Sequence, residues 1–283
     1  MNHFKSLESL SLSQVYEAFH KAFTDYEIQI DKSTFENMLK RRGYNPQLSF
    51  GAFDNGKLVS FILNGIDSFN SVITAYDTGT GTIPEHRKKG LVQQIFHHSI
   101  PFLKEKGVKQ CLLEVIQRNT KAVDLYKKMG FEITREFNYF VQSMDEIHIS
   151  KATVPKEIRM HDISTGEAEF LTDARDFEPS WQNSFKSIKR SIDDFKITGA
   201  FIKNQLVGYS IFAPVSGDLT QIAVKKSFRR KGIGTALLKK AFAQNQHHSV
   251  KTLNTQDDCN SITSFLSSFN IPLKGKQFEM IKY

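Results

Sequence analysis

Apolar residues recur with helical or strand-like spacing through the first half of the chain. Residues 9–24 place leucine, valine, alanine and phenylalanine at the spacing of an amphipathic helix, and residues 33–41 predict a second helix. Two extended runs, residues 48–53 and 58–63, flank Asp54-Asn55-Gly56, which is a strong hairpin signal. The first half therefore begins with helices and an antiparallel pair of strands.

Strands and helices then alternate to about residue 142. In order, the pattern predicts a strand at 71–78, a helix at 90–106, a mostly apolar central strand at 110–116, a helix after Asn119 and a closing strand at 136–142. Pro101 is expected to kink the long helix or to start a second segment. The inward face of that helix is predicted to carry Leu91, Ile95, Phe96, Phe102 and Leu103.

The second half repeats this plan. Arg87-Lys88-Lys89-Gly90-Leu91-Val92 follows an extended segment and opens a helix, as does Arg229-Arg230-Lys231-Gly232-Ile233-Gly234, and the two arginines lie 142 residues apart in a chain of 283. The second half predicts helices within 164–195, a hairpin at 200–212, a strand at 218–224, a helix at 232–244, a strand at 252–254, a helix at 260–269 and a closing strand at 278–283. We therefore expect two domains, residues 1–145 and 153–283.

The two basic stretches suit a phosphate group. Glycine lacks a Cβ atom, so backbone N–H groups can approach an anion closely. The helix that follows presents unpaired N–H groups and the positive end of its dipole. Arginine and lysine on the approach add positive charge.

Composition limits the classes of protein. The chain is 40% hydrophobic, and its two cysteines, Cys111 and Cys259, are too few for a disulfide framework and have no close partners for a metal site. No run of about 18 apolar residues is present, so we expect a cytoplasmic protein without a membrane partner. The formal net charge of +8 permits nucleic acid, an anionic surface or a polyphosphate cofactor, and does not choose among them.

Both halves are similar to the GNAT superfamily of acetyl-CoA-dependent N-acetyltransferases. The resemblance follows the order strand, basic glycine loop, helix, buried strand, asparagine and tyrosine. In the first half it uses Pro84-Glu85-His86-Arg87-Lys88-Lys89-Gly90, Asn119, Ala122, Leu125, Tyr126, Gly130 and Phe131; in the second it uses Ile222, Val224, Arg229, Gly232, Gly234 and a fainter Asn260. The resemblance implies an α/β fold of the α+β type, with two tandem GNAT-like domains. Each would have a mixed, mostly antiparallel sheet flanked by helices.

The same resemblance implies a pose for coenzyme A. Backbone amides of the two loops would receive the pyrophosphate, main chain near residues 80–82 and 222–224 would pair with the pantetheine arm, and Asn119 would contact that arm. The implied cofactor-binding residues are Thr80, Thr82, Arg87, Lys88, Lys89, Gly90, Leu91, Val92, Asn119, Ile222, Val224, Arg229, Arg230, Lys231, Gly232, Ile233 and Gly234.

Tyr126 resembles the family's general acid, which protonates the departing thiolate. Asp77 and Asp218 stand ten or eleven residues before their loop arginines, where some family members place a general base. The alternative for each is an ordinary carboxylate at a strand end, and Glu114 is a similar candidate. In the second half Leu266 or Ser267 stands where Tyr126 should be. We therefore expect the first half to carry the chemistry.

These features predict an enzyme that moves an acetyl group from acetyl-CoA to a primary amine on a small molecule or peptide, without a metal. The alternative is a non-catalytic acyl-CoA-binding sensor or regulatory protein. A nucleic-acid binder is a third hypothesis, but the loop cations already have a role beside a phosphate and no recognised nucleic-acid motif accompanies them. We expect no nucleic-acid partner, and a monomer or homodimer.

Overall fold

A computed structural model describes residues 3–26, 29–148 and 157–283. The chain forms two compact units. The first comprises Met1–Val115, Asn119–Thr134 and Glu279–Tyr283, and the second comprises Ile116–Arg118 and Arg135–Phe278.

The first unit is a sheet of strand order β1-β2-β3-β4-β5 with helices packed on it. All neighbouring strands are antiparallel except β4 and β5, which are parallel. Its elements are β1 (His3–Ser6), α1 (Leu12–Ala22), α2 (Lys32–Arg42), β2 (Phe50–Asp54), β3 (Lys57–Phe69), β4 (Val72–Thr82), α3 (Leu91–Glu105), β5 (Gln110–Ile116) and α4 (Thr120–Lys128).

The second unit has the strand order β6-β11-β10-β9-β8-β7, in which only β10 and β11 are parallel. Its elements are most of β6 (Glu132–Ser143), β7 (Arg159–Asp162), α5 (Thr165–Phe170), α6 (Phe185–Arg190), β8 (Lys196–Ile202), β9 (Gln205–Ala213), β10 (Asp218–Val224), α7 (Ile233–Phe242), β11 (Ser249–Gln256), α8 (Asn260–Ser267) and the first part of β12 (Leu273–Lys282). Each unit is thus a mixed, mostly antiparallel sheet flanked by helices, which confirms the predicted fold class.

Aromatic and aliphatic side chains fix the helices on the sheets. In the first unit α1 and α2 bury Val15 and Phe35 against Phe61 and Leu63 of β3. In the second unit α7 and α8 pack on a cluster that includes Phe212, Leu219, Val250 and Leu266. Burying such side chains is the main favourable contribution to folding, at roughly 1.5–3 kcal/mol for each large residue.

The parallel strand pairs matter most for the site. β4 pairs with β5 at Thr74–Tyr76, and β10 pairs with β11 at Asp218. Among the described residues, pairing within each parallel pair ends there. Beyond that point, backbone N–H and C=O groups on the edge of β4 are not paired with β5, and those on the edge of β10 are not paired with β11. An open strand edge of this kind is a place where an extended ligand can add as a strand.

Both units also place a β-bulge at this point. In β4 the register skips Thr78, because Leu63 pairs with Gly79 and Asn64 with Asp77. In β10 it skips Thr220, since Leu219 and Gln221 pair with consecutive residues of β9. Thr78 and Thr220 are 142 residues apart, so the repeat extends to a local irregularity of the kind that often re-aims side chains beside active sites.

Several sequence expectations need correction. Helix α3 is one helix that continues through Pro101, without a second segment, and Phe102 on it is 43% exposed instead of inward. The pattern also missed the short strands β1 and β7, whose four residues each give too little periodicity.

The predicted division at residues 145 and 153 differs from the division into compact units. Most of β6 pairs with β11 in the second unit, and the last five residues belong to the first unit. Position 153 lies outside the described residues. In the described part of the chain, no helix is both long enough and apolar enough to cross a membrane.

Candidate active site

Tyr126 and Asp77 meet in the first unit, although 49 residues separate them along the chain. The phenol Oη of Tyr126 donates a hydrogen bond of 3.1 Å to Asp77 Oδ2. Thr80 Oγ1 donates to the same oxygen at 2.6 Å, and the backbone N–H of Gly79 donates to Asp77 Oδ1 at 2.9 Å. The bulge and the end of β4–β5 pairing therefore bring the predicted acid and the predicted base together.

Burial perturbs both groups. It raises the pKa of the Asp77 carboxyl, and the bonds from Thr80, Tyr126 and Gly79 oppose that rise without cancelling it. Burial, and then the negative charge of Asp77, raise the pKa of Tyr126 well above its ordinary value. Tyr126 thus keeps its proton at neutral pH, and Asp77 binds a proton more readily than an ordinary aspartate does. A proton donor and a proton acceptor in contact are what general acid–base chemistry requires.

The loop before α3 has an unusual backbone. Lys88 and Gly90 both have positive φ, at 61° and 68°, and Gly90 forms the N-cap of α3 without a side-chain hydrogen bond. A positive φ is strained for lysine and easy for glycine. Such alternation turns successive N–H groups toward one concavity, which suits an anion at the start of a helix.

The loop before α7 has the same conformation. Arg230 and Gly232 have φ of 61° and 78°, and Gly232 is the N-cap of α7, again without a side-chain cap. The two loops therefore share the backbone conformation that suits an anion, and their binding of the pyrophosphate of coenzyme A stays a prediction.

The first arginine of each loop serves a structural purpose. Arg87 Nε donates to the carbonyl of Thr82, and its Nη2 donates to the carbonyl of Ala22. It also forms an ion pair with Asp25. These contacts fasten the loop to the end of β4 and to the end of α1, so the Arg87 side chain holds the loop in shape.

Arg229 repeats this arrangement. Its Nε donates to the carbonyl of Val224 at 2.9 Å, and its Nη2 donates to the carbonyl of Ala174 and to Asp176 Oδ1. Burial acts to raise the pKa of Asp176, but hydrogen bonds from Arg229 and Ser261 hold it below its ordinary value. The ion pair is therefore present at neutral pH, and binding of the cofactor by either arginine side chain stays a prediction.

A cavity of about 830 Å³ lies within the second unit. Its lining includes the loop residues Arg229, Arg230 and 232–235, and both strands of the parallel pair, at residues 219–224 and 252–255. Thr252 on this wall is 4% exposed, and its buried hydroxyl has no hydrogen-bond partner among the described residues. A buried polar group is normally paired, so this hydroxyl favours a polar ligand in the cavity.

The comparisons with known proteins agree with this geometry. The family model described as the acetyltransferase (GNAT) family matches residues 12–131 and 161–263, which together make up most of the chain. The protein belongs to the GNAT acetyltransferase family. The predicted family and enzyme class, acyltransferase, are thereby confirmed, and GNAT enzymes in general use acetyl-CoA.

Individual relatives are more distant. N-alpha-acetyltransferase MAK3 of Arabidopsis thaliana is 29% identical over 112 residues, which are 39% of this chain and 58% of that protein, so the chain spans less than two thirds of it. A tandem GNAT protein from the clavulanic acid biosynthesis pathway has a TM-score of 0.76 at 12% identity, over 100% of this chain and 98% of its own. A GCN5-related N-acetyltransferase from Sphaerobacter thermophilus has a TM-score of 0.73 at 12% identity, over 99% and 95%. Both structures show the shared fold.

The second GNAT unit lacks the tyrosine and the aspartate. The C-terminal turns of α4 and α8 match, because Phe131 N donates to Tyr126 O and Ile271 N donates to Leu266 O. Leu266, which is fully buried, therefore stands in the place of Tyr126. At the bulge, Leu219 stands in the place of Asp77, and both leucines belong to one apolar cluster.

This alignment corrects two equivalences that the sequence suggested. Asp218 lies one residue before the Asp77 position, and so corresponds to Tyr76 instead. Cys259, and not Asn260, is the N-cap of α8, and so corresponds to Asn119. Asn119 itself caps α4, since its Oδ1 accepts the N–H of Ala122. Contact of Asn119 with the cofactor arm stays a prediction.

Three features of the site escaped sequence reasoning. They are the hydroxyl of Thr80 on Asp77, the ion pairs from Asp25 and Asp176 to the loop arginines, and the buried hydroxyl of Thr252. The spacing Asp77-x-Gly79-Thr80 is typical of a turn in which an aspartate accepts nearby backbone N–H groups. This spacing was the sequence signal that could have indicated the contact of Thr80 with Asp77. Among the described residues, no group of three or more His, Cys, Asp or Glu side chains could hold a metal ion.

Proposed function

We propose that the first unit transfers an acetyl group from acetyl-CoA to a primary amine by direct attack. The observation that carries this proposal is the 3.1 Å hydrogen bond from Tyr126 to Asp77 at the open edge of β4. A partly buried acid and a partly buried base in contact have a clear use in amine acetylation, which removes one proton from the amine and gives one to the leaving group.

Coenzyme A would be held by main chain. Backbone N–H groups of residues 88–92 would bind its pyrophosphate, with the charge of Lys88 and Lys89 in support, and the edge of β4 near Thr80 and Thr82 would pair with its pantetheine arm. Acetyl-CoA supplies the acetyl group as a thioester, whose carbonyl an amine can attack.

The two side chains divide the proton transfers. The amine attacks the thioester carbonyl in its neutral form, and Asp77 accepts the one proton that the nitrogen loses as the amide forms. Tyr126 donates its phenolic proton to the sulfur that leaves. The hydrogen bond between them then lets Asp77 return a proton to Tyr126, so the pair is restored without a covalent enzyme intermediate.

The second unit supports a different role. Its loop and cavity, with residues Ile222, Val224 and 229–234, suit an acyl-CoA, yet Leu219 and Leu266 offer no proton donor or acceptor. We propose that this unit binds acyl-CoA without turnover, as the sensor hypothesis supposes. The amine acceptor, a cytoplasmic location, a monomer or homodimer, and the lack of nucleic-acid and membrane partners stay predictions.

A panel of primary amines tests the transfer. Purified protein with acetyl-CoA is expected to release free thiol with at least one amine among polyamines, aminoglycosides, amino acids and peptide N-termini, and mass spectrometry should show an added acetyl group on that amine. Release of thiol without an acetylated amine would mean hydrolysis. Tight binding of acetyl-CoA with no product from any amine would favour the non-catalytic alternative for the whole chain.

A further inference from the structure

Asp77 has two side-chain donors on one oxygen. Thr80 Oγ1 lies 2.6 Å from Asp77 Oδ2, which is shorter than the 3.1 Å bond that Tyr126 makes to the same atom. Since the N–H of Gly79 occupies the other oxygen, the carboxylate is held at both ends and its rotation is fixed. Thr80 thus acts on the group that Tyr126 touches.

The second unit provides an internal comparison. Counted from the matching bulges, Thr80 corresponds to Ile222, just as Asp77 corresponds to Leu219, and the helix-end bonds match Tyr126 to Leu266. All three members of the hydrogen-bonded set are therefore aliphatic in the unit that lacks the proton chemistry. Thr80 thus differs between the units together with both residues that share its hydrogen-bonded set.

We infer that Thr80 is a positioning residue for acetyl transfer, whose hydroxyl aims Asp77 Oδ2 and holds it beside the phenol of Tyr126. The inference rests on the proposed roles of Asp77 and Tyr126. It adds a side-chain function to a residue that the family resemblance assigned to the cofactor through its main chain.

Other charged and titratable groups around Asp77 must be considered in any test of pH dependence. Tyr126 faces Asp77 from α4, Arg42 bears on it from α2 and favours its charged form, and Cys111 faces it from β5. Tyr76 precedes it on β4 and is itself influenced by Glu114. A substitution at position 80 leaves these side chains in place but also removes a bond that lowers the pKa of Tyr126, so the comparison of Thr80 variants uses the acid limb, which reports Asp77.

The kinetic test uses Thr80→Val, which keeps the shape and removes the hydroxyl. We expect kcat to fall roughly 10-fold with the KM for acetyl-CoA within about twofold, because a charge-assisted hydrogen bond is lost at the reacting groups and not at the cofactor. Thr80→Ser is expected to restore most of kcat. Thr74→Val on the same strand removes a hydroxyl that contacts Gln110 outside the site, and serves as the matched control.

The pH profile adds a readout that a merely structural role would not move. The bond from Thr80 lowers the pKa of Asp77, so its loss should raise that pKa and shift the acid limb of kcat/KM to higher pH. Thr74→Val should leave the limb in place. An unchanged limb in Thr80→Val, or equal losses in Thr80→Val and Thr80→Ser, would overturn the inference.

A second measurement needs no amine substrate. The pKa of Asp77 in the folded protein lies above its value in the unfolded chain. The stability that Asp77 contributes is therefore fully present below the unfolded pKa and is lost as the pH rises through the folded pKa. The difference in melting temperature between wild type and Asp77→Asn should change over the same pH range. Thr80→Val should move the loss of stability to higher pH, because it raises the pKa of Asp77 further. If no amine reacts but this shift appears, the transfer proposal fails and the placement of Thr80 stands. If the shift is absent, the inference fails whatever the amine panel shows.

Discussion

Replacing Tyr126 with phenylalanine is expected to lower kcat for acetyl transfer at least about 100-fold. The substitution removes one oxygen atom, whose hydrogen bond goes to Asp77, while the ring keeps its packing against Phe131. The dissociation constant for acetyl-CoA should change less than about twofold, since the proposed cofactor contacts are main-chain groups of another segment. Steady-state kinetics with the best amine and calorimetric titration with acetyl-CoA measure the two quantities.

Tyr139→Phe is the matched control for this prediction. Tyr139 lies on β6 in the second unit and has no role in the proposed site. Its loss of a hydroxyl should leave kcat within about twofold of wild type. Equal kcat values for Tyr126→Phe and wild type would remove Tyr126 as the acid.

The second large effect concerns the two glycine loops. Gly90→Glu and Gly232→Glu each place a carboxylate where the pyrophosphate is proposed to sit, and each forces a side chain into a positive φ. We expect Gly90→Glu to bind one acetyl-CoA fewer than wild type and to lose turnover. Gly232→Glu should also bind one fewer, but its turnover should exceed that of Gly90→Glu at least about 100-fold, because only the first unit holds Asp77 and Tyr126.

Gly90→Gln and Gly232→Gln separate charge from backbone strain. Both carry the same conformational cost of about 1–2 kcal/mol without the negative charge, so they should melt like the glutamate variants yet bind acetyl-CoA better. Titration calorimetry gives the stoichiometry and thermal melting confirms folding. Loss of turnover in Gly232→Glu alone would assign the chemistry to the second unit.

The sequence predicted what depends on local patterns. The basic glycine loops, the helices they open and the apolar strands before them are all encoded within about 20 consecutive residues, so their order and their repetition could be recognised. The turn at Asp54-Asn55-Gly56 was predictable because positive φ favours particular residues, here Asn55 and Gly56. Pro101 did not start a second segment, because a helix can continue through one proline when its other contacts are kept.

The features that the sequence did not predict correctly depend on strand register and on contacts between distant segments. Asp77 and Asp218 are similar candidates by sequence, although they stand ten and eleven residues before their loop arginines, and the matching bulges at Thr78 and Thr220 put Leu219, and not Asp218, in the position equivalent to Asp77. The contacts of Tyr126 and Thr80 with Asp77 likewise needed the folded sheet, and so did the assignment of most of β6 to the second unit.

The most direct test of the account converts the first unit into the pattern of the second. The triple variant Asp77→Leu, Thr80→Ile, Tyr126→Leu should bind as many acetyl-CoA molecules per chain as wild type, counted by native mass spectrometry, and should give no amine-dependent release of thiol in the same sample. Full occupancy with no transfer would support the claim that these three side chains carry the reaction. Transfer at a rate near that of wild type would contradict it.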